Sequence, residues 1–242
     1  MKTLCLDFGN TRLKYALFQD ETIAAAEALP DDADDTIATL LDRHAPDRAI
    51  LSSVIRHNPG VDTLLAKACR YHRLSHETRI AFSVAVGKPE TMGADRLALA
   101  SAAVRFFPNR NNLVIGLGSA ITYNFINAFH QFLGGGISPG MEMRFRSLHE
   151  HTALLPLVQK DWNFPLIGYD TRTNILSGVV LGMAGEIDGI IRAYDERYTD
   201  LNIVLTGGDN GYFAGLLKSR IFADPDFLFK GLYALSETND PS

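Results

Sequence analysis

The feature that most constrains this chain is a strand, glycine turn, strand unit that occurs twice. Residues 2–7 read as a buried strand, Phe8-Gly9-Asn10 as a tight turn, and residues 12–18 alternate as a returning strand. In the second half, residues 112–115 read as a strand, Gly116-Leu117-Gly118-Ser119 as a turn and residues 121–126 as a strand. Aligning Asp7-Phe8-Gly9-Asn10-Thr11 with Gly116-Leu117-Gly118-Ser119-Ala120 gives a degenerate internal repeat. Two strand-rich halves with helices between them indicate an α/β fold, whose ligands bind beyond the strand ends. We therefore expect two domains, residues 1–110 and 111–242, with a cleft between them.

The remaining pattern fits that frame. Helices are expected over residues 31–43, 61–71, 93–107 and 171–198, with further strands at 48–54 and 201–205. The glycine-rich stretch 134–140 reads as a loop before a helix that starts near Met141. A short helix is expected over 212–217. Ile175, Val179, Met183, Ile187 and Ile191 form an apolar stripe suited to the core or to a partner helix.

Composition excludes several classes. With 242 residues, 46% apolar and 21% charged, the chain is neither disordered nor fibrous. A net charge of −5 is no nucleic-acid footprint, and the longest mostly apolar stretch, Ile175 to Gly185, reads as too short to span a bilayer, so neither nucleic acid nor membrane is an expected partner. Cys5 and Cys69 have no metal-ligand spacing and read as buried thiols of a reducing cytoplasm. The N-terminus lacks the pattern of a secretion signal, and the seven histidines read as solvated.

Three segments carry chemistry. In Asp7-Phe8-Gly9-Asn10-Thr11 the glycine lets the backbone approach a phosphate, Asn10 and Thr11 add donors, and Lys14 adds a positive charge. Asp7 is placed to hold Mg²⁺ or its waters. Gly93-Ala94-Asp95-Arg96 joins a carboxylate, a guanidinium and a helix start, an arrangement suited to an anionic substrate and to proton transfer from a hydroxyl. Thr206-Gly207-Gly208-Asp209 offers bare backbone to a base or ribose. Each is also compatible with a plain role: hairpin turn, helix cap, strand-to-helix turn.

Taken together, Asp7-x-Gly9-Asn10-Thr11-x-x-Lys14, Gly93-Ala94-Asp95-Arg96, Gly118-Ser119-Ala120-x-Thr122, Leu133-Gly134-Gly135-x-Ile137-x-Pro139-Gly140 and Thr206-Gly207-Gly208-Asp209 resemble type III pantothenate kinase in order and spacing. The resemblance implies two ribonuclease-H-like domains of the actin-like ATPase superfamily and a homodimer. It implies ATP- and Mg²⁺-dependent phosphorylation of pantothenate. By position, Asp7, Phe8, Gly9, Asn10, Thr11, Arg12, Leu13, Lys14 and Ser119 would bind ATP. Gly93, Ala94, Asp95, Arg96 and Thr171 would bind pantothenate, with Asp95 as proton acceptor. Thr171 would reach the site across the dimer.

Some positions depart from the family pattern. Gly116 stands where the family has the aspartate that ligates a monovalent cation, K⁺ or NH₄⁺, and Asn124 replaces the loop's later aspartate. An aromatic residue usual before the Gly93 segment is missing from Val86-Gly87-Lys88-Pro89. The lost carboxylate leaves one alternative: a catalytically impaired, ligand-binding regulatory protein of the same fold.

Overall fold

A computed structural model describes residues 1–86, 88 and 92–240. Gly87 and Pro89, part of the segment that lacks the family's aromatic residue, lie outside the described residues. The chain divides into two compact units. The first is Met1–Asn109, Phe129–Leu133 and Asp226–Ser242; the second is Arg110–Ala128 and Gly134–Pro225.

The first unit is built on β1 (Lys2–Phe8), β2 (Leu13–Gln19), β3 (Thr22–Leu29), β4 (Arg48–Ser53) and β5 (Arg70–Arg73), in the order β3-β2-β1-β4-β5. β2 runs antiparallel to β1 and β3, whereas β4 is parallel to β1 and β5. β1 is buried on both faces because both are covered. Leu4, Leu6 and Phe8 join a core with Ile37, Leu40 and Leu41 of α1 (Asp34–His44) and Val61 and Leu65 of α2 (Pro59–Ala68). The alternate residues Thr3, Cys5 and Asp7 face the opposite side, where α3 (Ala94–Phe106) and α7 (Phe227–Thr238) pack on β4 and on each other. Every residue of α3 from Leu97 to Val104 is buried, as expected of a helix apolar all round. A Cβ at Gly231 of α7 would sit 1.9 Å from the Ala98 carbonyl oxygen, so only glycine lets these helices approach so closely.

The second sheet has the order β11-β10-β7-β8-β9-β6, formed by β6 (Ser83–Val84), β7 (Asn111–Leu117), β8 (Ala120–Ile126), β9 (Gln131–Pro139), β10 (Leu201–Thr206) and β11 (Phe222–Ala223). β7 pairs antiparallel with β8 and parallel with β10. Reading β7, β8, β9, β10 and β11 as copies of β1 to β5 reproduces the first sheet, and β1 and β7 share one burial pattern along their seven residues. The two hairpins differ by one residue: Phe8 pairs with Leu13, whereas Leu117 pairs with Ile121. The core of this unit lies between the sheet and α4 (Met141–Glu150), α5 (Thr171–Asp195) and α6 (Asn210–Phe213). By length and apolar composition α5 could cross a membrane, yet 56% of its most apolar stretch is buried within the protein.

Several expectations are corrected. Residues 134–139 are strand, not loop. Gly135 adopts φ +145°, and a Cβ there would lie 1.9 Å from the Tyr123 carbonyl oxygen, so the glycines serve strand contact. We expect Gly135→Ala to destabilise the protein by roughly 2–4 kcal/mol in urea unfolding; a shift below ~0.5 kcal/mol would contradict the close approach. The edge strand β3, Thr-Ile-Ala-Ala-Ala-Glu-Ala-Leu, has β-branched residues only at its first two positions and alanine at four of the remaining six, so weak propensity hides it in the sequence. Helix α2 stops at Ala68, leaving residues 70–73 to β5. The short helix sits at Asn210–Phe213, earlier than 212–217. A division at residue 110 also misses the C-terminal helix α7, whose apolar side returns it to the first unit. His44 is buried against the Tyr15 hydroxyl, and the His57 side chain is 2% exposed, so neither is a solvated histidine.

Candidate functional site

In the first unit, the candidate groups gather at the end of β1. Asp7 is registered with Lys14 across the hairpin and with Ser52 of the parallel strand β4, so the three side chains share one sheet face. Gly9 donates its N–H to the Arg12 carbonyl at 3.1 Å, closing the turn and leaving Asn10, Thr11 and Arg12 exposed at its tip. Phe8 is fully buried, with its ring edge-on to His57 at 5.6 Å, so it can offer a ligand only its backbone. Leu13 likewise packs on the core.

The first turn of α3 approaches the same face. Asp95 folds back over the helix start, with Oδ1 only 2.5 Å from where a Cβ on Gly93 would lie. Any side chain at Gly93 would displace that carboxylate. Burial pushes the Asp95 pKa upward, against the pull of the Arg96 backbone N–H and the Arg96 charge. Burial also pushes Asp7 up, to about 7, reinforced by the Asp95 charge and opposed by Lys14. The two carboxylates therefore sense each other. Arg96 lies over the Phe132 ring at 5.3 Å, which fixes its direction.

A network that the sequence did not reveal holds the end of β4. Ser53 Oγ meets His57 Nδ1 at 2.9 Å, His57 Nε2 meets Asp62 at 2.9 Å, and the Tyr71 hydroxyl donates to Asp62 at 2.5 Å. Val54 N–H donates to the Phe8 carbonyl at 3.1 Å. The end of β4 is thereby tied to the end of β1. Its members come from β4, the loop after it, α2 and β5, and no local spacing signals them.

In the second unit, two glycines press on the turn between β7 and β8. A Cβ on Gly140 would lie 2.3 Å from the Gly118 carbonyl oxygen, and one on Gly207, at φ +98°, would lie 2.3 Å from that of Leu117. The Ser119 carbonyl accepts the Gly140 N–H at 3.1 Å. The start of α4, the turn 118–120 and the Thr206-Gly207-Gly208-Asp209 segment are therefore neighbours. Thr171 is exposed in the first turn of α5, behind an Asp170–Thr173 capping box. It lies in the second unit, whereas residues 93–96 lie in the first.

The residues fit one cation and not the other. Asp7 and Asp95 are half-buried, mutually repelling carboxylates, and a divalent cation carried by nucleotide phosphates would relieve them. Among the described residues there is no group of three or more His, Cys, Asp or Glu side chains to form a cage, which is the usual situation for Mg²⁺. Gly116, by contrast, supplies no carboxylate for a monovalent ion. The Asn124 amide donates to the Val114 carbonyl and to Thr122 Oγ1, both at 3.1 Å. Neither position offers an anionic oxygen.

Comparison with known proteins agrees with this geometry. A family model described as type III pantothenate kinase matches residues 3–193. The type III pantothenate kinase of Christiangramia forsetii is 39% identical over 238 residues, covering 98% of each chain. That of Flavobacterium johnsoniae is 36% identical over 231 residues, covering 95% of each. Among solved structures, a Baf family protein from Campylobacter jejuni aligns over 98% of both chains with TM-score 0.61 and 20% identity. A ROK family glucokinase from Streptomyces griseus, in complex with glucose and AMPPNP, does so with TM-score 0.53 and 11% identity. Those two likenesses establish the fold: two ribonuclease-H-like sheets of the actin-like ATPase class. The match along nearly its whole length establishes more, and the chain belongs to the type III pantothenate kinase family.

Proposed function

We infer that this chain transfers the γ-phosphoryl group of ATP to the primary hydroxyl of pantothenate, giving 4′-phosphopantothenate, the first step of coenzyme A synthesis. The observation that carries this reading is that Asp95, in the first turn of α3, faces Asp7 at the end of β1, in a chain that matches the family along nearly its full length. No observation favours the regulatory alternative.

The chemistry assigned to each residue follows from its setting. Phosphoryl transfer depends on positioning and charge neutralisation more than on a strong base. Residues 7–14 and Ser119 hold the ATP phosphates, with backbone N–H groups, the Asn10 and Thr11 side chains and Lys14 as donors. Asp7 holds Mg²⁺, which when bound neutralises phosphate charge. Asp95 orients the pantothenate hydroxyl and takes its proton; a carboxylate with a raised pKa is the better acceptor near neutral pH. Gly93, Ala94 and Arg96 shape the pantothenate segment, and Arg96 attracts the substrate carboxylate. In the homodimer, the partner subunit's Thr171 completes that segment.

The assay is ADP release with ATP, Mg²⁺ and pantothenate. We expect turnover that requires pantothenate and changes less than about twofold when Na⁺ replaces K⁺, because Gly116 and Asn124 supply no anionic ligand. Absence of turnover in every salt overturns the kinase reading. Strong K⁺ dependence overturns only the cation part.

We further propose a homodimer through α5. Gly178, Gly182, Gly185 and Gly189 lie on one exposed face of this helix, and a Cβ on any of them would meet nothing within 4 Å. Each glycine costs a helix about 1 kcal/mol relative to alanine. Four on one face are explained by close approach of another backbone, and Leu166, Ile167 and Tyr169, all more than three-quarters exposed, lie just before the helix. Gly182→Leu is expected to yield a folded monomer in light scattering; a dimer unchanged by it would exclude this face. The site and partners assigned here suit a soluble cytoplasmic enzyme.

A further inference from the structure

A buried histidine sits in the middle of the network that ends β4. The His57 side chain is 2% exposed. A polar ring so buried costs free energy unless its nitrogens are met, and an apolar side chain carries no such condition. What the imidazole gains from meeting it is a single direction. Burial pushes the Asp62 carboxyl up, but hydrogen bonds from Tyr71 and His57 and the Arg73 charge hold it below its ordinary value, so it acts as an acceptor only. His57 Nε2 therefore carries the proton that it donates to Asp62 at 2.9 Å. Nδ1 lies 2.9 Å from Ser53 Oγ, whose hydroxyl also reaches the Ile55 carbonyl at 3.1 Å. Asp62 is itself held by the Tyr71 hydroxyl at 2.5 Å and by Arg73 at 3.4 Å. The next residue, Asn58, caps α2 and donates its N–H to Asp32 at 2.6 Å. Fixed at both nitrogens, the ring keeps one orientation.

That ring stands edge-on to Phe8 at 5.6 Å. The Phe8 carbonyl is held separately by the Val54 N–H at 3.1 Å, and Ser53 is the register partner of Phe8. Phe8 is thus gripped by its ring and by its carbonyl, both from residues 53–57. It is the last residue of β1, and Gly9 begins the turn. The setting of Phe8 therefore decides where the donors of residues 9–11 point. Donors stabilise phosphate charge best when they are aimed beforehand. We propose that His57 is a positioning residue for nucleotide binding: held by Ser53 and Asp62, it aims the phosphate turn through Phe8 without touching the ligand. This rests on the phosphate-turn reading given above and involves the first unit alone.

The test separates aiming from folding. His57→Leu removes both hydrogen bonds and keeps apolar bulk against Phe8, and Ser53→Ala cuts the network at one end. In both, the Kd for AMP-PNP with Mg²⁺, by calorimetry, and the KM for ATP should rise about five- to tenfold. The kcat and the KM for pantothenate should change less than twofold. In the ligand-free protein, amide hydrogen exchange should quicken at residues 9–12 and stay unchanged at residues 3–6. Ser53→Thr keeps the hydroxyl and should restore the wild-type Kd. The double variant should bind AMP-PNP no more weakly than His57→Leu alone, because both changes break one network. If His57→Leu does not fold, Ser53→Ala against Ser53→Thr decides by the same readouts. Lower melting with an unchanged Kd and KM for ATP would make the network a packing device and overturn the proposal, as would additive losses in the double variant. Failure of the kinase reading is seen separately: a wild type that binds AMP-PNP but does not phosphorylate pantothenate leaves the Kd comparison intact. A wild type that binds no AMP-PNP removes the phosphate-turn reading and this proposal with it.

Discussion

Asp95→Asn is expected to lower kcat by about 10²–10⁴-fold, the range usual for a proton-transfer group, while AMP-PNP still binds with near wild-type affinity. The asparagine keeps the volume and an oxygen in the place of the carboxylate beside Gly93, so the helix start and the Gly93 contact should persist. What it removes is the proposed acceptor for the pantothenate proton and one of two repelling charges. Steady-state kinetics and calorimetric nucleotide titration measure the two halves separately. Full activity would remove Asp95 from the mechanism. Lost nucleotide binding would instead place its role with the phosphates. Burial holds the Asp95 pKa above its ordinary range, so the acidic limb of the wild-type kcat–pH profile should lie above that of a free carboxylate, and it should vanish in the variant.

Asp7→Asn is expected to act in opposite directions on activity and stability. Without the carboxylate, Mg²⁺ and the phosphates lose an anchor, and turnover should fall by about 10²–10³-fold. The folded protein, however, gains. Asp7 is raised from an ordinary value of 3.8 to about 7, chiefly by burial and then by Asp95. A carboxyl whose folded pKa lies above its unfolded one stabilises the protein fully below the unfolded value, and that contribution is lost as pH rises through the folded value. The ligand-free wild type, in chelator, should therefore lose stability between about pH 4 and pH 8 through this group, and Asp7→Asn should remove that slope. At pH 8 the variant should exceed the wild type by roughly 2–4 kcal/mol. Chemical denaturation at pH 5 and pH 8 measures this; parallel pH curves for the two proteins would refute the buried, repelling Asp7. A saturating Mg²⁺–nucleotide complex should reverse the order if Asp7 holds the cation as proposed.

Stability and activity trade against each other at Asp7 and Asp95. Each is a group the fold alone would be better without. Such local inconsistencies concentrate where a ligand is to be met, and they are easier to see in the folded chain than in the sequence. Ser52 lies within Leu-Ser-Ser-Val and looks like any strand end. What singles it out is its register partner Asp7, distant in sequence, and a buried Oγ with no hydrogen-bond partner. The Ser53–His57–Asp62 network is invisible for a related reason: its parts are ordinary residues joined only when β4, α2 and β5 pack together.

The sequence by itself determined the α/β class, the two hairpins with their glycine turns, the candidate groups Asp7, Lys14, Asp95 and Arg96, and the loss of a carboxylate at Gly116. Those properties reside in short segments where hydrophobic period and turn chemistry act locally. Tertiary structure alone decided the rest. It made strand of 134–139, because the neighbouring Tyr123 backbone tolerates only glycine at 135. It made a strand of the alanine-rich 22–29, because pairing with β2 outweighs weak propensity. It returned α7 to the first unit, where the Gly231–Ala98 contact exists only between folded helices. And it turned one glycine turn and one helix start into a site, because a carboxylate's burial and the charge facing it depend on what packs around it, which no local spacing records.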